Sequence, residues 1–203
     1  MTKLIISIVL ALSSTFANAQ LRGSGKTITK TYDYKNFDKV RFDDLDGKLE
    51  IEVGKPFSIT ITIDDNLSSL LTLVEYSHDK QLTIALKGNR NNKMYIENTK
   101  IYVKITMPFI LEVSNNGNSG LTVTSVNSKN FKSVNPVNGS TTLSGLVDNL
   151  EIICRGNGNL NAEKLIAKNA KITCSGNGNA RVNATNIIES IKSGNGNIVN
   201  VNK

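Results

Sequence analysis

The sequence contains few of the residues on which catalysis, metal binding and nucleic-acid recognition usually depend. Among its 203 residues are one histidine, two cysteines, three prolines and no tryptophan, and aromatic residues account for 5%. The formal net charge of +7 is mild, and no cluster of lysine and arginine stands out. Because a nucleic-acid surface requires a basic stripe with stacking aromatics, we expect no nucleic-acid role.

Candidate catalytic and metal-binding groups are scarce and scattered. The single histidine, His78, lies in a polar segment typical of a turn between strands. The carboxylates after residue 107 are Glu112, Asp148, Glu151, Glu163 and Glu189, and they are expected to occupy different positions in the repeats described below. An acid–base pair needs two converging groups, so we expect no enzyme activity and no cofactor. A second acidic group comprises Asp43, Asp44, Asp46, Asp64 and Asp65. Its oxygen atoms could bind a hard cation, but turn chemistry is the favoured interpretation, and we expect no metal.

The one long apolar run of the chain lies at the N-terminus. Lys3 precedes the run Leu4–Leu12, and Ala17-Asn18-Ala19 forms an A-x-A cleavage signal before Gln20. These are the parts of a secretory signal peptide, which we assign to residues 1–19. The run is too short to span a bilayer, so we expect no transmembrane segment. The mature chain is expected to begin at Gln20 and to be exported to the periplasm, the outer surface or the medium.

A repeated Gly-Asn motif dominates the second half of the chain. Arg155-Gly156-Asn157-Gly158-Asn159 recurs as Ser175–Asn179 and Ser193–Asn197, with divergent copies at Asn116-Gly117 and Asn138-Gly139. Self-similarity near twenty residues indicates one structural unit stacked on its own copies. Short alternating apolar segments between the copies favour strands. We therefore expect an all-β fold, a right-handed parallel β-helix (β-solenoid) with two or three short strands per repeat and rungs about 4.8 Å apart.

The segment before the repeats also has the pattern of β-strands. Ser58–Ile63 alternates polar and apolar residues, as a half-buried strand does, and similar runs fill much of residues 26–107. The sequence shows no linker between the two parts. We expect residues 20–110 to form a β-rich N-terminal part that continues into or caps the repeat solenoid of residues 111–203, as one continuous domain.

The glycines of the motif are predicted to form the turns of the solenoid. A sharp corner needs residues with positive φ, which glycine adopts freely and asparagine tolerates. The predicted turn glycines are Gly117, Gly139, Gly156, Gly158, Gly176, Gly178, Gly194 and Gly196. Stacked corners also place asparagines above one another, where their amides can hydrogen-bond in a ladder. Corner geometry is the favoured explanation of these asparagines, and a row of amides that binds a ligand is the alternative.

The two cysteines occupy the same position in successive repeats. Cys154 and Cys174 each lie two residues before the first glycine of the motif, which places them on adjacent rungs. The rung spacing falls within the Cα range of a disulfide, and export permits oxidation. Directly stacked side chains point the same way, however, which suits disulfide dihedral angles poorly. A buried thiol pair and a disulfide both stay open, and the lack of C-x-x-C spacing argues against zinc.

The order of the segments resembles one known family. Strand-like segments at Phe42–Ile51 and Gln81–Ile84 precede Ile101–Pro108, and serial Ser-Gly-Asn-Gly-Asn corners follow. In this order the chain resembles the "putative auto-transporter adhesin head GIN domain" family, exported proteins found largely in the Bacteroidetes. The resemblance covers nearly all of the mature chain. It implies a right-handed β-helical domain, named an adhesin by similarity, and it supplies no catalytic residues. Asn115 and Val137 stand where later corners have glycine, so those two turns are expected to be looser.

A rigid repeated scaffold without converging catalytic groups favours a binding function. We expect a non-catalytic, adhesion-like module whose flat faces contact a glycan, matrix or envelope protein. The predicted ligand-binding residues are Asn157, Asn177 and Asn195 with the cations Arg155, Arg181 and Lys192. Amides and cations at regular spacing suit an extended hydroxyl-rich or acidic polymer. The alternatives are a polysaccharide-acting enzyme, suggested by the fold alone, and a purely structural envelope protein.

Overall fold

The fold is all-β in the residues that the structure describes. A computed structural model describes residues 21–88 and 96–202, so the predicted signal peptide lies outside the described residues. The strands are β1 (Leu21–Arg22), β2 (Thr27–Tyr32), β3 (Lys39–Asp43), β4 (Lys48–Val53), β5 (Ser58–Asp64), β6 (Leu71–Tyr76), β7 (Gln81–Leu86), β8 (Ile96–Glu97), β9 (Tyr102–Met107), β10 (Glu112–Asn116), β11 (Gly120–Asn135), β12 (Ser140–Cys154), β13 (Leu160–Cys174), β14 (Ala180–Lys192) and β15 (Ile198–Asn200). One 3₁₀ turn, Asp65–Leu67, precedes β6.

Thirteen of the strands form one mixed sheet. In the repeat half, β10 to β15 pair in parallel, each with the next in sequence. The sheet continues into the N-terminal half, where β3 pairs with β10, and β4 pairs with β11, again in parallel. Beyond them the pairing reverses, because β6 is antiparallel to β7, and β5 to both β2 and β9. The sheet is therefore mixed and not wholly parallel.

The short connection between β6 and β7 explains one of these reversals. Four residues, Ser77 to Lys80, join the two strands, and Asp79 N–H donates to the carbonyl of Tyr76 at 3.0 Å. A connection of this length can return the chain only as an antiparallel neighbour, since a parallel neighbour needs a much longer crossover. The strand predicted at Ser58–Ile63 agrees with the observed β5, which extends one residue further to Asp64.

The sequence period appears in the structure as the register of strand pairing. Leu121 pairs with Thr141, Thr141 with Leu160, Leu160 with Ala180, and Ala180 with Ile198. Each residue thus lies beside the residue about one repeat later, and equivalent side chains form columns that run across the strands. We call such a row a column below.

The repeat strands are longer than the short segments expected from the sequence. β11, β12 and β13 contain 16, 15 and 15 residues. Each of these strands bends but continues as one strand. The register of β11 and β12 shifts between Val123 and Val126, near Ser125 with φ 61° and Gly145 with φ 138°. A bulge turns the chain while the ladder of hydrogen bonds continues. The prediction of two or three separate short strands per repeat is therefore wrong.

One hydrophobic cluster runs through both halves of the chain. Buried residues in one column are Val103, Leu49, Leu121, Thr141, Leu160 and Ala180. Large apolar residues fill this cluster in the N-terminal part, whereas Ala162, Ala167 and Ala170 contribute to it in β13. The core therefore contains smaller side chains toward the C-terminal strands. The columns of side chains that point outward from the sheet are available to solvent or ligands.

Candidate functional site

Five exposed asparagines form a hydrogen-bonded row at the repeat corners, which we call the corner ladder. It consists of Asn118, Asn138, Asn157, Asn177 and Asn195. Each later Nδ2 donates to the Oδ1 of the asparagine before it, at 3.5, 2.9, 2.8 and 3.1 Å in chain order. The amide stacking that the sequence suggested is present, and it extends over five rungs.

The corner ladder leaves part of each amide available to a ligand. An asparagine amide has two N–H donors and an oxygen with two lone pairs. In Asn157 and Asn177 the ladder uses one N–H and one lone pair, and both side chains are exposed. A second row beside it is structural, because the Oδ1 atoms of Asn159 and Asn179 accept backbone N–H groups of the next rung at 2.8 and 2.9 Å.

Glycine is required beside the corner ladder for space, not for positive φ. A Cβ atom on Gly176 would lie 1.8 Å from the carbonyl oxygen of Gly156, and one on Gly178 would lie 2.0 Å from that of Gly158. Among the eight predicted turn glycines, only Gly194 has positive φ, at 111°. The physical reason given by the sequence analysis is therefore wrong for the other seven. Successive rungs approach too closely for any side chain at these positions.

The first corner aligns differently from the expectation, whereas Val137 does stand in the column of Gly156 in the second. Because Gly120 pairs with Ser140, Gly117 stands in the column of Val137, and Asn115 does not replace a glycine. Asn115 is buried and donates from Nδ2 to the carbonyl of Ser119 at 2.9 Å. The equivalent Asn135 is also buried and donates to the carbonyl of Gly139 at 2.7 Å. These turns are closed from inside by amides, which the sequence analysis missed.

The three predicted cations do not join the corner ladder. Arg181 forms an ion pair with Glu163 and lies in the column of Asn161. Lys192 lies in the column of Cys174, and Arg155 is in an exposed position between these columns. Of the six predicted binding residues, the structure brings together Asn157, Asn177 and Asn195 only.

The two cysteines are register partners on adjacent strands. Cys154 pairs with Cys174, both side chains are buried, and the thiols are unbridged. A hydrogen bond with Cys174 and burial raise the pKa of the Cys154 thiol well above its ordinary value. Both effects keep this thiol protonated and poorly reactive at neutral pH.

A separate row of hydrogen-bonded asparagines lies on another outward column, and we call this row the side ladder. It consists of Asn130, Asn149, Asn169 and Asn186. Their Nδ2-to-Oδ1 hydrogen bonds measure 2.9, 3.0 and 3.3 Å in chain order. The sequence analysis missed this row because it lies outside the Gly-Asn motif, although its spacing of 17 to 20 residues follows the same period.

Alternating charges form a third outward column, which we call the charge ladder. Strand pairing aligns Lys39, Glu112, Lys132, Glu151, Lys171 and Glu189 in this order. Lys132 Nζ lies 3.9 Å from the carboxylate of Glu112, and Lys171 Nζ lies 2.6 Å from that of Glu189. The expectation that these glutamates occupy different repeat positions is wrong. A lysine separates each from the next, so they do not form an acid–base pair.

The acidic groups of the N-terminal part are engaged in structural contacts. Asp64 is buried and accepts backbone N–H groups of Gly25 and Lys100 at 2.8 and 2.6 Å. Asp43 accepts hydrogen bonds from Arg41 and Asn116. Within residues 21–88 and 96–202, no group of three or more His, Cys, Asp or Glu side chains is placed to hold a metal ion. The only histidine, His78, is fully exposed in its turn.

Glu50 on β4 is the centre of a small polar cluster. Hydrogen bonds from Lys48 and Tyr102 lower the pKa of its carboxyl group below the ordinary value. The hydrogen bond to Glu50 raises the pKa of the Tyr102 hydroxyl. Lys48 Nζ also lies 5.2 Å from the centre of the Tyr102 ring. The cluster joins neighbouring strands and has no unpaired acid or base.

Comparison with known proteins identifies the family. No helix in the described part of the chain has the length and apolar character needed to cross a membrane. No curated protein matches the sequence. A solved "putative adhesin" from Bacteroides fragilis is similar in fold, with TM-score 0.61 and 18% identity over 89% of this chain and 100% of that one. A "putative adhesin" from Parabacteroides merdae has TM-score 0.45 and 20% identity over 90% and 99%. A "putative lipid binding protein" from Parabacteroides distasonis has TM-score 0.48 and 18% identity over 90% and 99%. Residues 36–203 match the family described as "Putative auto-transporter adhesin, head GIN domain", and the chain belongs to that family.

Proposed function

We propose that this protein is an exported, non-catalytic adhesion module that binds a glycan or another extended surface polymer along its stacked corners. The observation that carries the proposal is the corner ladder, five exposed amides that hold one another in a fixed row. Each amide adds a weak contact, and a polymer that engages several rungs gains affinity by multivalency. Preorganisation by the ladder reduces the entropy lost when the amides bind.

We also propose that the repeat half winds as a right-handed parallel β-helix. Parallel pairing with a displacement of one repeat supports this winding, as does the strong preference of parallel crossovers for the right hand. In such a winding the corner ladder forms a straight ridge along the axis, which suits a linear ligand.

The non-catalytic assignment is supported by the surroundings of the carboxylates. Glutamates of the charge ladder alternate with lysines, and Glu163 is bound to Arg181. Export is supported by the signal peptide predicted at residues 1–19 and by the adhesin family. Intact-mass analysis of protein from a native host should find the mature N-terminus at Gln20. Recovery of the chain with Met1 retained would refute export.

The binding proposal is tested with a panel of bacterial and host polysaccharides. The triple variant Asn157→Ala, Asn177→Ala, Asn195→Ala should lose binding to a polysaccharide that the wild type retains. Asn127→Ala, which changes an exposed asparagine outside both ladders, is the matched control and should bind normally. Circular dichroism and thermal melting confirm that each variant is folded. Full binding by the folded triple variant, or release of reducing sugar by the wild type, would overturn the proposal.

A further inference from the structure

A groove of about 390 Å³ runs across β11, β12 and β13, away from the corner ladder. One wall is the side ladder, represented by Asn130, Asn149 and Asn169. The other wall is the middle of the charge ladder, represented by Lys132, Glu151 and Lys171. Leu111 and Ile188, which are 39% and 69% exposed, also line it. The groove therefore combines two regular polar walls with exposed apolar groups.

The charges in the groove favour an uncharged ligand. Lys132, Glu151 and Lys171 are on three successive rungs, so each charge has an opposite neighbour. The electrostatic potentials of opposite charges one rung apart cancel at distances greater than the rung spacing, and salt screens the potential that remains. Glu151, which lies between the two lysines, would repel an acidic polymer. The lysines on both sides of Glu151 would repel a basic polymer. Neither sign of charge is complementary to the whole wall.

The backbone around the groove excludes an added polypeptide strand. β12 is paired with β11 on one side and β13 on the other, and β13 is paired with β12 and β14. Recognition by strand addition requires an unpaired sheet edge. The groove instead presents side chains only, and its ligand must be recognised by hydroxyl or amide hydrogen bonds and by apolar contact.

We infer that this groove is a second binding site, and that its ligand is a neutral, linear polysaccharide. A sugar ring has apolar C–H faces and hydroxyl groups at its rim. In the groove, the C–H faces contact Leu111 and Ile188, while the hydroxyl groups bond to the side ladder and to the charge ladder. In Asn169 the side ladder uses one N–H and one lone pair, which leaves one of each for a hydroxyl group. The site goes beyond the proposed function, because it lies on columns separate from the corner ladder.

The test uses neutral cello-, manno- and laminari-oligosaccharides with the mature protein, measured by isothermal titration calorimetry at low and high salt. Leu111→Asp and Ile188→Asp should each weaken binding about tenfold, because each removes an apolar contact with the ring. Ile166→Asp is the matched control, since Ile166 is 51% exposed on β13 but lies outside the groove. It should bind as the wild type does. Melting temperatures verify that all three variants are folded.

The possible outcomes separate this inference from the proposed function. Loss of oligosaccharide binding in the two groove variants, with normal binding by the triple corner-ladder variant, supports the groove. Binding that is lost in the corner-ladder variant and kept in the groove variants overturns the groove while upholding the proposed function. Binding of acidic polysaccharides alone, or of none of the neutral oligosaccharides by folded wild type, also overturns it.

Discussion

Substitution of Gly176 by alanine is the sharpest test of how closely the repeats stack. The new Cβ atom would lie 1.8 Å from the carbonyl oxygen of Gly156 and 2.7 Å from its carbonyl carbon. Both contacts are with backbone, so no side chain can move aside, and the two rungs must separate. Overpacking of this kind costs about 3 kcal/mol, near the upper end of the usual range. For a chain of this size that corresponds to a fall in Tm of roughly 6 to 12 °C.

Two other glycines provide matched controls. Gly120→Ala, in β11, adds a Cβ atom with no heavy atom within 4 Å and should change stability by less than about 0.5 kcal/mol. Gly54 has φ 89° and also has open space, so Gly54→Ala isolates the cost of positive φ, about 1 kcal/mol. Urea unfolding gives all three free energies on one scale. Equal stability of Gly176→Ala and Gly120→Ala would refute the close approach of the rungs.

Three further predictions concern charge, pH and thiols. Lys132→Glu should destabilise by about 1 kcal/mol, because it places three carboxylates on successive rungs, and high salt should reduce the loss. Exposed Lys129→Glu, on the same strand, is the control. Glu50→Gln should lower Tm at neutral pH by removing contacts of about 1 kcal/mol. Because the pKa of Glu50 is lowered in the folded state, that stabilisation is complete above the unfolded-state pKa of about 4.3 and is lost as pH falls through the lower folded-state pKa, so the difference in Tm should shrink progressively below about pH 4. Denatured, unreduced protein should titrate two thiols, Cys154 and Cys174, whereas the burial of both side chains should keep them from reacting readily in the folded protein.

Each of these results has a clear opposite. Equal destabilisation by the two lysine substitutions would show that the register of the charge ladder is unimportant. A constant difference in Tm between wild type and the Glu50 variant down to pH 3 would contradict the assignment of the pKa shift. Absence of titratable thiols after unfolding would show that the cysteines form a disulfide.

Much of the repeat half could be predicted because its information is local and recurrent. The spacing of the Gly-Asn motif sets which residues are neighbours, and alternation within a strand sets which of them are buried. Thus Leu160 and Ala180, which each lie two residues after the second glycine of the motif, are buried register partners. The bends inside β11 and β12 could not be predicted in this way, because they arise at Ser125 and Gly145, outside the motif.

The N-terminal half was less predictable because its strand order is not the order of the sequence. β4 lies between β9 and β11, and β3 lies between β7 and β10, although long stretches of chain separate them. Alternating hydrophobicity identifies such strands but not their neighbours. The side ladder and charge ladder failed to emerge for a different reason. Their members recur at the repeat period, but the sequence analysis followed glycine and asparagine at the corners alone.

The three outward columns contribute differently to specifying the fold. Asparagine is self-complementary, so the corner ladder and side ladder would accept the repeat strands in any order and supply cohesion without discrimination. The charge ladder does discriminate, because placing Lys132 beside Lys171, or Glu151 beside Glu189, would set like charges against each other. It therefore disfavours an arrangement in which one strand is skipped, an error to which repeat proteins are prone. Strand order can then be encoded by one charged column, and the two amide ladders need not contribute to it.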